Sequence, residues 1–375
     1  MSKFLEGLFR SYYRRTLVPP PFKIEMREFG FQLFGSQGMI RHIAFASGEE
    51  LNKYLREHFP RHAYYSTALY EYPSAPDMSE KGWKGAEMVF DIDVDHIPTP
   101  CKELHDRWRC ADCGAEGWGQ PPRCPRCGSE RLERESWVCD MCISVARDEI
   151  LKLVDFLEKD FGINRAEMKI YFSGHRGFHL HIETEKVLTF DQDVRREIAD
   201  YVRGVGLQPE LLLRPIKGGR YSLKHGIDAP GWPGRIAKYA LLLLSERSNP
   251  GEVALPELTI DEWREVISRA VADLSVKIDE KVTIDTKRLI RLPWTLHGKT
   301  GLRVTAFSVD DLEALAAEEI LRRAIVFGDE EVSVKMDRMP RRVLFYDIPT
   351  SSEGVRVPLF LAVYLHANGS AQVQV

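Results

Sequence analysis

The sequence predicts a mixed α/β (α+β) fold in which a large core carries insertions. Short apolar runs with a period of two are interspersed with stretches of helical periodicity, a strand–loop–strand unit lies in the middle of the chain, and all seven cysteines fall in one segment. A chain of 375 residues exceeds a typical single core. We therefore expect one large domain with insertions, or two domains.

The first part of the chain, 1–95, combines a helical start with strand-like runs at 29–35 and 41–47 and a helix over 48–59. It ends in the stretch AEMVFDIDV (86–94), in which apolar residues alternate with acidic ones. This alternation predicts a strand with one buried face.

The remainder of the chain is divided by changes in composition. The cysteine segment covers 101–142, a helix is predicted over 144–162, and strands follow at 168–174 and 178–184. Residues 191–277 are largely of helical pattern, and strand and turn character returns after Ile278. We predict a discontinuous core of 1–190 and 278–375, a metal-binding segment at 101–142, and a helical insertion at 191–277.

Charge and hydropathy indicate a cytoplasmic protein without a membrane span. The net charge is −4, the isoelectric point is about 6.3, and no apolar run is long enough to cross a bilayer. The N-terminal stretch lacks the small-residue cleavage site of a signal peptide. A nucleic-acid partner would need a local basic surface, such as the one that residues 286–303 can supply.

The cysteine spacing predicts two structural zinc sites. Two CxxC pairs separated by ten residues form an inner ribbon over 110–127, and the remaining cysteines and one histidine form an outer set around it. Each set has four ligands and no open position, and an odd cysteine count in a cytoplasmic chain disfavours disulfides. The ribbon ligands are Cys110, Cys113, Cys124 and Cys127, and the outer ligands are Cys101, His105, Cys139 and Cys142.

The strand at 86–94 places Asp91 and Asp93 on one face, about 7 Å apart along the chain. Two such carboxylates can bracket divalent cations. A calcium loop is excluded because its sixth and twelfth positions would be His96 and Lys102 instead of Gly and Glu. From this stretch alone, an acidic edge strand that deters aggregation remains an equal alternative.

Two further segments supply groups that suit a triphosphate. In the turn SGHRG (173–177) the glycines allow backbone amides to approach an anion, and Arg176 and His179 offer charge and donors. We predict a strand that carries Asp285 just ahead of basic residues that include Arg291. Each segment alone is also compatible with a plain hairpin or a structural acid. Together with the acidic strand they are the components of nucleotidyl transfer.

These segments resemble those of a known family, the catalytic small subunits of archaeal and eukaryotic-type DNA primases. The resemblance extends over nearly the whole chain, with motifs in the family's order. They are YYRR (12–15), REFGF (27–31), VFDIDVDHIPTPC (89–101), WVCDMC (137–142), SGHRGFHLHI (173–182) and IDTKRLIRLPWTLHGKTG (284–301).

The resemblance implies a primase catalytic core with an antiparallel sheet like that of RNA-recognition modules. It also implies primer synthesis from ribo- or deoxynucleoside triphosphates on single-stranded DNA, two catalytic Mg²⁺ or Mn²⁺ ions, and a heterodimer with an iron–sulfur-containing large subunit. By the same resemblance, the metal ligands are Asp91, Asp93 and Asp285, the active-site glutamate is Glu28, and the nucleotide-binding residues are Ser173, His175, Arg176, His179, Arg291 and His297.

The inserted ribbon departs from the family pattern, in which a single zinc site is usual. Two rival functions remain open: a related primase-polymerase of repair or of a mobile element, and a non-catalytic zinc-ribbon protein that binds nucleic acid.

Overall fold

The computed structural model describes residues 3–245, 255–336, 340–348, 354–369 and 371–374. Its α-helices are α1 (Lys3–Arg15), α2 (Gly48–His58), α3 (Lys102–His105), α4 (Asp140–Lys159), α5 (Glu185–Leu188), α6 (Gln192–Val202), α7 (Pro209–Leu212), α8 (Gly231–Ser245), α9 (Ile260–Leu274), α10 (Glu280–Ile284), α11 (Val309–Ala314), α12 (Ala317–Ala324) and α13 (Leu359–Ala367).

Its strands are short and antiparallel where they form sheets. They are β1 (Phe29–Gln32), β2 (Ile40–Ile43), β3 (His62–Ser66), β4 (Ala68–Tyr70), β5 (Trp83–Ala86), β6 (Met88–Asp93), β7 (Arg107–Cys110), β8 (Glu116–Trp118), β9 (Leu132–Glu135), β10 (Met168–Phe172), β11 (Gly177–Ile182), β12 (Leu213–Pro215), β13 (Tyr221–Leu223), β14 (Leu289–Arg291), β15 (Thr305–Phe307), β16 (Glu331–Lys335), β17 (Arg342–Val343), β18 (Tyr346–Asp347), β19 (Val355–Pro358) and β20 (Gln372–Gln374).

Two four-stranded antiparallel sheets form the centre of the molecule. Their strand orders are β14-β3-β1-β2 and β15-β10-β11-β6. Phe90 and Ile92 of β6 are fully buried in one core with residues of α4, whereas Val89 packs into the core of the other sheet. Because side chains alternate along a strand, the face of β6 that carries Val89 also carries Asp91 and Asp93, and it looks toward the β14-β3-β1-β2 sheet.

The mixed α/β fold and its main strands confirm the sequence prediction. The strands expected over 86–94, 168–174 and 178–184 are β6, β10 and β11. β6 pairs with β11 from Met88↔Ile182 to Asp93↔Gly177, and β10 pairs with the other edge of β11. The helix expected over 144–162 begins earlier, at Asp140, because the Cys139 side chain caps it by accepting from the Cys142 amide.

The segment predicted as a helical insertion contains α6 to α9 together with a two-stranded hairpin of β12 and β13, which the sequence pattern did not indicate. Its buried residues Ala199, Trp232 and Trp263 belong to the same hydrophobic cluster as α4. The helices therefore pack directly on the core, and the domain boundaries remain a prediction.

The ribbon is a separate layer. Strands β7, β8 and β9 form a three-stranded sheet, and Trp108, Cys110 and Cys124 form its own small cluster. Within the described ranges, no helix combines the length and apolar character that a bilayer crossing requires.

Candidate active site

A cleft of about 240 Å³ lies between the two central sheets. One wall comes from β6, β11 and the turn that precedes β11, and the other comes from β3, β14 and the loop that follows it. The lining residues are Tyr64, Asp91, Asp93, Ser173, His175, His179, Val282, Arg288, Leu289, Ile290, Arg291 and His297.

The two aspartates of β6 form the acidic wall. Burial, the charge of Asp93 and the charge of Asp279 together raise the pKa of Asp91 to about 7. Burial, followed by the nearby Asp95, also raises the pKa of Asp93. The Nε2 atom of His179 lies 3.5 Å from the Asp91 carboxylate. Raised pKa values mean that the negative charge here is poorly compensated, and hard carboxylate oxygens of this kind fit a divalent cation.

The structure corrects the position of the third predicted aspartate. Asp285 is not on a strand: it directly follows α10 and accepts a hydrogen bond from the Lys287 amide. Neither Asp279 nor Asp285 is in the cleft lining, but the charge of Asp279 acts on Asp91, and the Asp279 amide donates to the Asp91 carbonyl at 2.9 Å. The stretch IDEKVTID contains two Ile-Asp pairs, and the sequence-based choice fell on the second one.

Imidazoles and guanidinium groups line the rest of the cleft: His175 lies in the turn before β11, on the same side as the aspartates, whereas His297 and Arg291 lie on the other side. The rings of His175 and His297 stack with centroids 5.0 Å apart, and His62 meets His297 edge-on at the same distance. Burial, reinforced by nearby Arg charges, lowers the pKa of His175 to about 3 and that of His62 to about 2. These rings are therefore neutral near pH 7 in the free protein.

His62 and Tyr64 contribute to the site without having been predicted. The Arg291 Nη1 atom lies 2.9 Å from the Nδ1 atom of His62, and its guanidinium also lies 5.1 Å from the Tyr64 ring centroid. A neutral imidazole nitrogen can accept this hydrogen bond and fix the guanidinium at the cleft. The alternation in HAYYS (62–66), which puts His62 and Tyr64 on one strand face, was the only signal available.

The turn at 173–177 is pressed against the loop of His297. Gly174 has a φ of 76°, and a Cβ there would lie 2.9 Å from the His297 Cβ. The hydroxyl of Thr300 donates to the Gly174 carbonyl at 2.6 Å. Glycine is therefore required for both conformation and space, and the close packing keeps Ser173, His175 and His297 together.

Besides Asp285, two more of the predicted active-site residues lie outside the cleft. Arg176 has no solvent exposure and is turned toward the zinc segment, where it binds Asp106. Glu28 is 1% exposed and is held by Arg41 at 3.1 Å and by Lys81 at 3.3 Å. Neither residue is in the cleft lining, so direct contact with a nucleotide bound there is not what this geometry offers.

Both predicted zinc ligand sets come together, each with its ligand atoms within 4.8 Å of one another. In the outer set, which we call the zinc knuckle (Cys101, His105, Cys139 and Cys142), Sγ–Sγ separations are 3.4 and 3.7 Å and the His105 Nε2 atom lies 3.3 Å from the Cys142 Sγ atom. The ribbon has two Sγ–Sγ separations of 3.6 Å. All seven cysteines are free thiols. Tetrahedral zinc with Zn–S bonds of about 2.3 Å would need separations of about 3.8 Å, so both sets fit the ion.

An acidic strand that faces imidazoles and guanidinium groups across a cleft, in a mixed α/β fold, defines the class of protein as a nucleotidyltransferase. Comparison with known proteins gives the family. A family model described as "DNA primase small subunit" matches residues 129–309.

Similar proteins extend this match to nearly the whole chain. A DNA primase small subunit PriS from Thermoplasma acidophilum is 36% identical over 366 residues, which cover 97% of this chain and 98% of the relative. One from Methanothrix thermoacetophila is 34% identical over 424 residues, which cover 99% and 98%. The chain belongs to the DNA primase small subunit family, and it is the catalytic, nucleotidyl-transferring subunit of a primase.

A solved structure, the polymerase domain from Mycobacterium tuberculosis Ligase D in complex with DNA, covers 85% of this chain with 9% identity and a TM-score of 0.38. This likeness is too distant to bear on the assignment.

Proposed function

We propose that this chain synthesises short primers from nucleoside triphosphates on a single-stranded DNA template, with Asp91 and Asp93 as ligands of two Mg²⁺ or Mn²⁺ ions. The observation that carries the proposal is the cleft itself, which the two carboxylates share with His175, His297 and Arg291. An acidic wall that binds cations and a wall of donors that bind phosphate are what triphosphate chemistry needs.

The carboxylates are the proposed metal ligands, and Asp279 replaces Asp285 as the third. The raised pKa of Asp91 supports this, because uncompensated charge at the site favours cation binding. Bound ions would lower the pKa of the attacking 3′-hydroxyl and stabilise the departing pyrophosphate. His179, at 3.5 Å from Asp91, would hold this carboxylate in its rotamer.

The donors that line the rest of the cleft would bind the triphosphate. His175 and His297 can donate from their ring N–H groups, Ser173 from its hydroxyl, and Arg291 and Arg288 from their guanidinium groups. Since His62 already engages one Nη atom of Arg291, the rest of that guanidinium is oriented before a nucleotide arrives.

The remaining assignments rest on family membership and on composition. We propose a heterodimer with an iron–sulfur-containing large subunit, a cytoplasmic location, and two structural zinc ions per chain. Contact with the template would be salt-dependent and largely independent of sequence, as is usual for basic surfaces that follow a single strand.

The test is template-dependent primer synthesis on single-stranded DNA with Mg²⁺ or Mn²⁺, with ribonucleotides and deoxynucleotides supplied separately. The variant with Asp91→Ala and Asp93→Ala should lose activity by several orders of magnitude. Asp310→Ala is the control, because that carboxylate is 86% exposed and lies outside the cleft lining. Undiminished synthesis by the double variant would overturn the proposal.

A further inference from the structure

A continuous path of polar contacts joins the zinc knuckle to the end of the catalytic strand. It runs from the zinc ligand His105 through Asp106, Arg176 and Asp95 to Asp93. Asp106 and Arg176 have no solvent exposure.

The first half of the path fixes the position of Arg176. The Nδ1 atom of His105 lies 2.7 Å from Asp106, which also accepts from the Trp137 amide at 3.0 Å. Both terminal nitrogens of Arg176 lie 3.0 Å from one oxygen of Asp106. A carboxylate behind a metal-ligating histidine normally orients that ligand. Here the same carboxylate also holds a buried guanidinium.

The second half reaches the cleft. The Nη1 atom of Arg176 lies 2.9 Å from Asp95, and the Asp95 amide donates to the Asp93 carboxylate at 2.8 Å. Lys102, which lies between the ligands Cys101 and His105, strengthens the link by donating to the Val94 and Ile97 carbonyls at 2.8 Å each. The backbone after the catalytic strand is thus fastened to the zinc segment.

This arrangement matters because Asp93 lies in a crowded acidic environment. Asp95 acts on Asp93, and Asp93 and Asp279 act on Asp91, so repulsion would turn the carboxylates apart if nothing held them. The buried charge of Arg176 is the cation that the structure places between Asp95 and Asp106. The path therefore attracts the Asp95 carboxylate and fixes the direction of the chain next to Asp93.

We propose that Asp106 and Arg176 are positioning residues that couple the zinc knuckle to Asp93, so that the affinity of the active site for divalent cations depends on this path. The inference rests on the proposed role of Asp93 as a metal ligand. It gives Arg176 a task other than the nucleotide contact that the motif suggested.

The chain contains a matched control. Asp140 also directly follows a zinc ligand, Cys139, and it also binds one arginine, Arg342, at 2.9 and 2.8 Å, although this pair is partly exposed and that of Asp106 is buried. Arg342 pairs with Asp347 on its other side and not with a residue of the cleft. Asp106→Asn and Asp140→Asn therefore remove the same kind of pair beside the same zinc knuckle.

The experiment measures Mn²⁺ binding to the zinc-loaded full-length chain, without nucleotide, by electron paramagnetic resonance, together with zinc content and steady-state kinetics. Asp106→Asn should weaken Mn²⁺ binding about tenfold, as is common when a supporting carboxylate is removed. Zinc content should be unchanged, and kcat should fall while the KM for nucleoside triphosphate changes little. Asp140→Asn should bind Mn²⁺ as the wild type does.

If Asp106→Asn loses zinc or does not fold, Asp95→Ala is a second variant that tests the coupling. Asp95 is 39% exposed, so Asp95→Ala should fold, and it breaks the path without touching the zinc knuckle. Weaker Mn²⁺ binding is expected again, and the variant with both changes should be no weaker than the worse single one. Wild-type affinity in either folded, zinc-loaded variant, or additive losses, would overturn the proposal. Because the Mn²⁺-binding measurement involves no catalysis, its failure is distinct from retained primer synthesis after loss of Asp91 and Asp93.

Discussion

Single carboxylates in the cleft should make divalent-cation binding depend on pH. Burial and the charges of Asp93 and Asp279 raise the pKa of Asp91 to about 7, so that a proton competes with the cation below neutrality. Mn²⁺ binding should be about tenfold weaker at pH 6 than at pH 8. Isothermal titration at several pH values measures this. Asp91→Asn should bind more weakly and with a smaller pH dependence, and a flat profile in the wild type would contradict the assignment.

The same shift affects the stability of the metal-free protein. The folded-state pKa of Asp91 lies above its unfolded value of about 4, so the folded protein binds more protons between about pH 4 and pH 7. Its contribution to stability is therefore present at low pH and is lost as the pH rises through 7. Added Mn²⁺ should restore stability above pH 7, and thermal melts with and without the ion would reveal it.

The third carboxylate can be identified with a matched pair of variants. Asp279→Asn should reduce Mn²⁺ affinity and primer synthesis by about tenfold or more, because Asp279 contributes to the field at Asp91. Asp285→Asn should remain within about twofold of the wild type, since its charge acts on Tyr70 and Arg195 instead. Asn caps and turns as well as Asp does, so both variants should fold. The opposite ranking would reinstate Asp285.

The sequence indicated which strand residues line the cleft, but not the direction of residues that lie in bends. Asp91, Asp93, His179 and Arg291 line the cleft because strand alternation fixes the face on which each lies. Arg176 lies in a bend, where no periodicity applies, and its direction depends on an acid 70 residues earlier in the chain. Such a pairing depends on the tertiary fold and cannot be predicted from a local sequence pattern.

Among the strands, those with a strong period of two were predictable, and those defined by distant pairing were less so. β6, β10 and β11 alternate clearly and pair with one another. β14 pairs with β3 so that Arg291 is opposite Tyr64, a contact between residues far apart in the sequence. That pairing brings His62 to Arg291, and it explains why the imidazole was overlooked.

Close backbone approach between β6 and β11 gives a test of the central sheet. A Cβ at Gly177 would lie 1.9 Å from the Ile92 carbonyl oxygen, so the two strands must separate to admit one. Gly177→Ala should lower the free energy of unfolding by about 2 kcal/mol or more, measured by urea denaturation. Gly7→Ala in α1 is the control: it meets open space and should stabilise the protein by up to about 1 kcal/mol. Equal stability of Gly177→Ala and wild type would show that the strands are not this close.

For the chain as a whole, the ribbon lies between the two halves of the outer ligand set, and this arrangement determines how each predicted zinc site is connected to the fold. Cys101, Cys139 and Cys142 belong to the main hydrophobic cluster, together with Phe90 and Ile92 of the catalytic strand. Cys110 and Cys124 belong to the small cluster of the ribbon. Spacing alone predicted both ligand sets, because a tetrahedral ion needs two close pairs and the sequence provides them at either end of each loop. The spacing could not predict on which ligand set the stability of the core depends.

Removal of one ligand from each site should therefore have unequal effects. Elemental analysis should find about two zinc ions in the wild type and about one in either Cys110→Ser or Cys142→Ser. Cys142→Ser should destabilise the main unfolding transition by at least about 3 kcal/mol, since it removes a metal ligand from the core that supports β6. Cys110→Ser should leave that transition nearly unchanged, because the ribbon packs in its own cluster. If Cys110→Ser lost both ions, the two sets would form one cooperative unit and the partition of ligands between core and ribbon would be wrong.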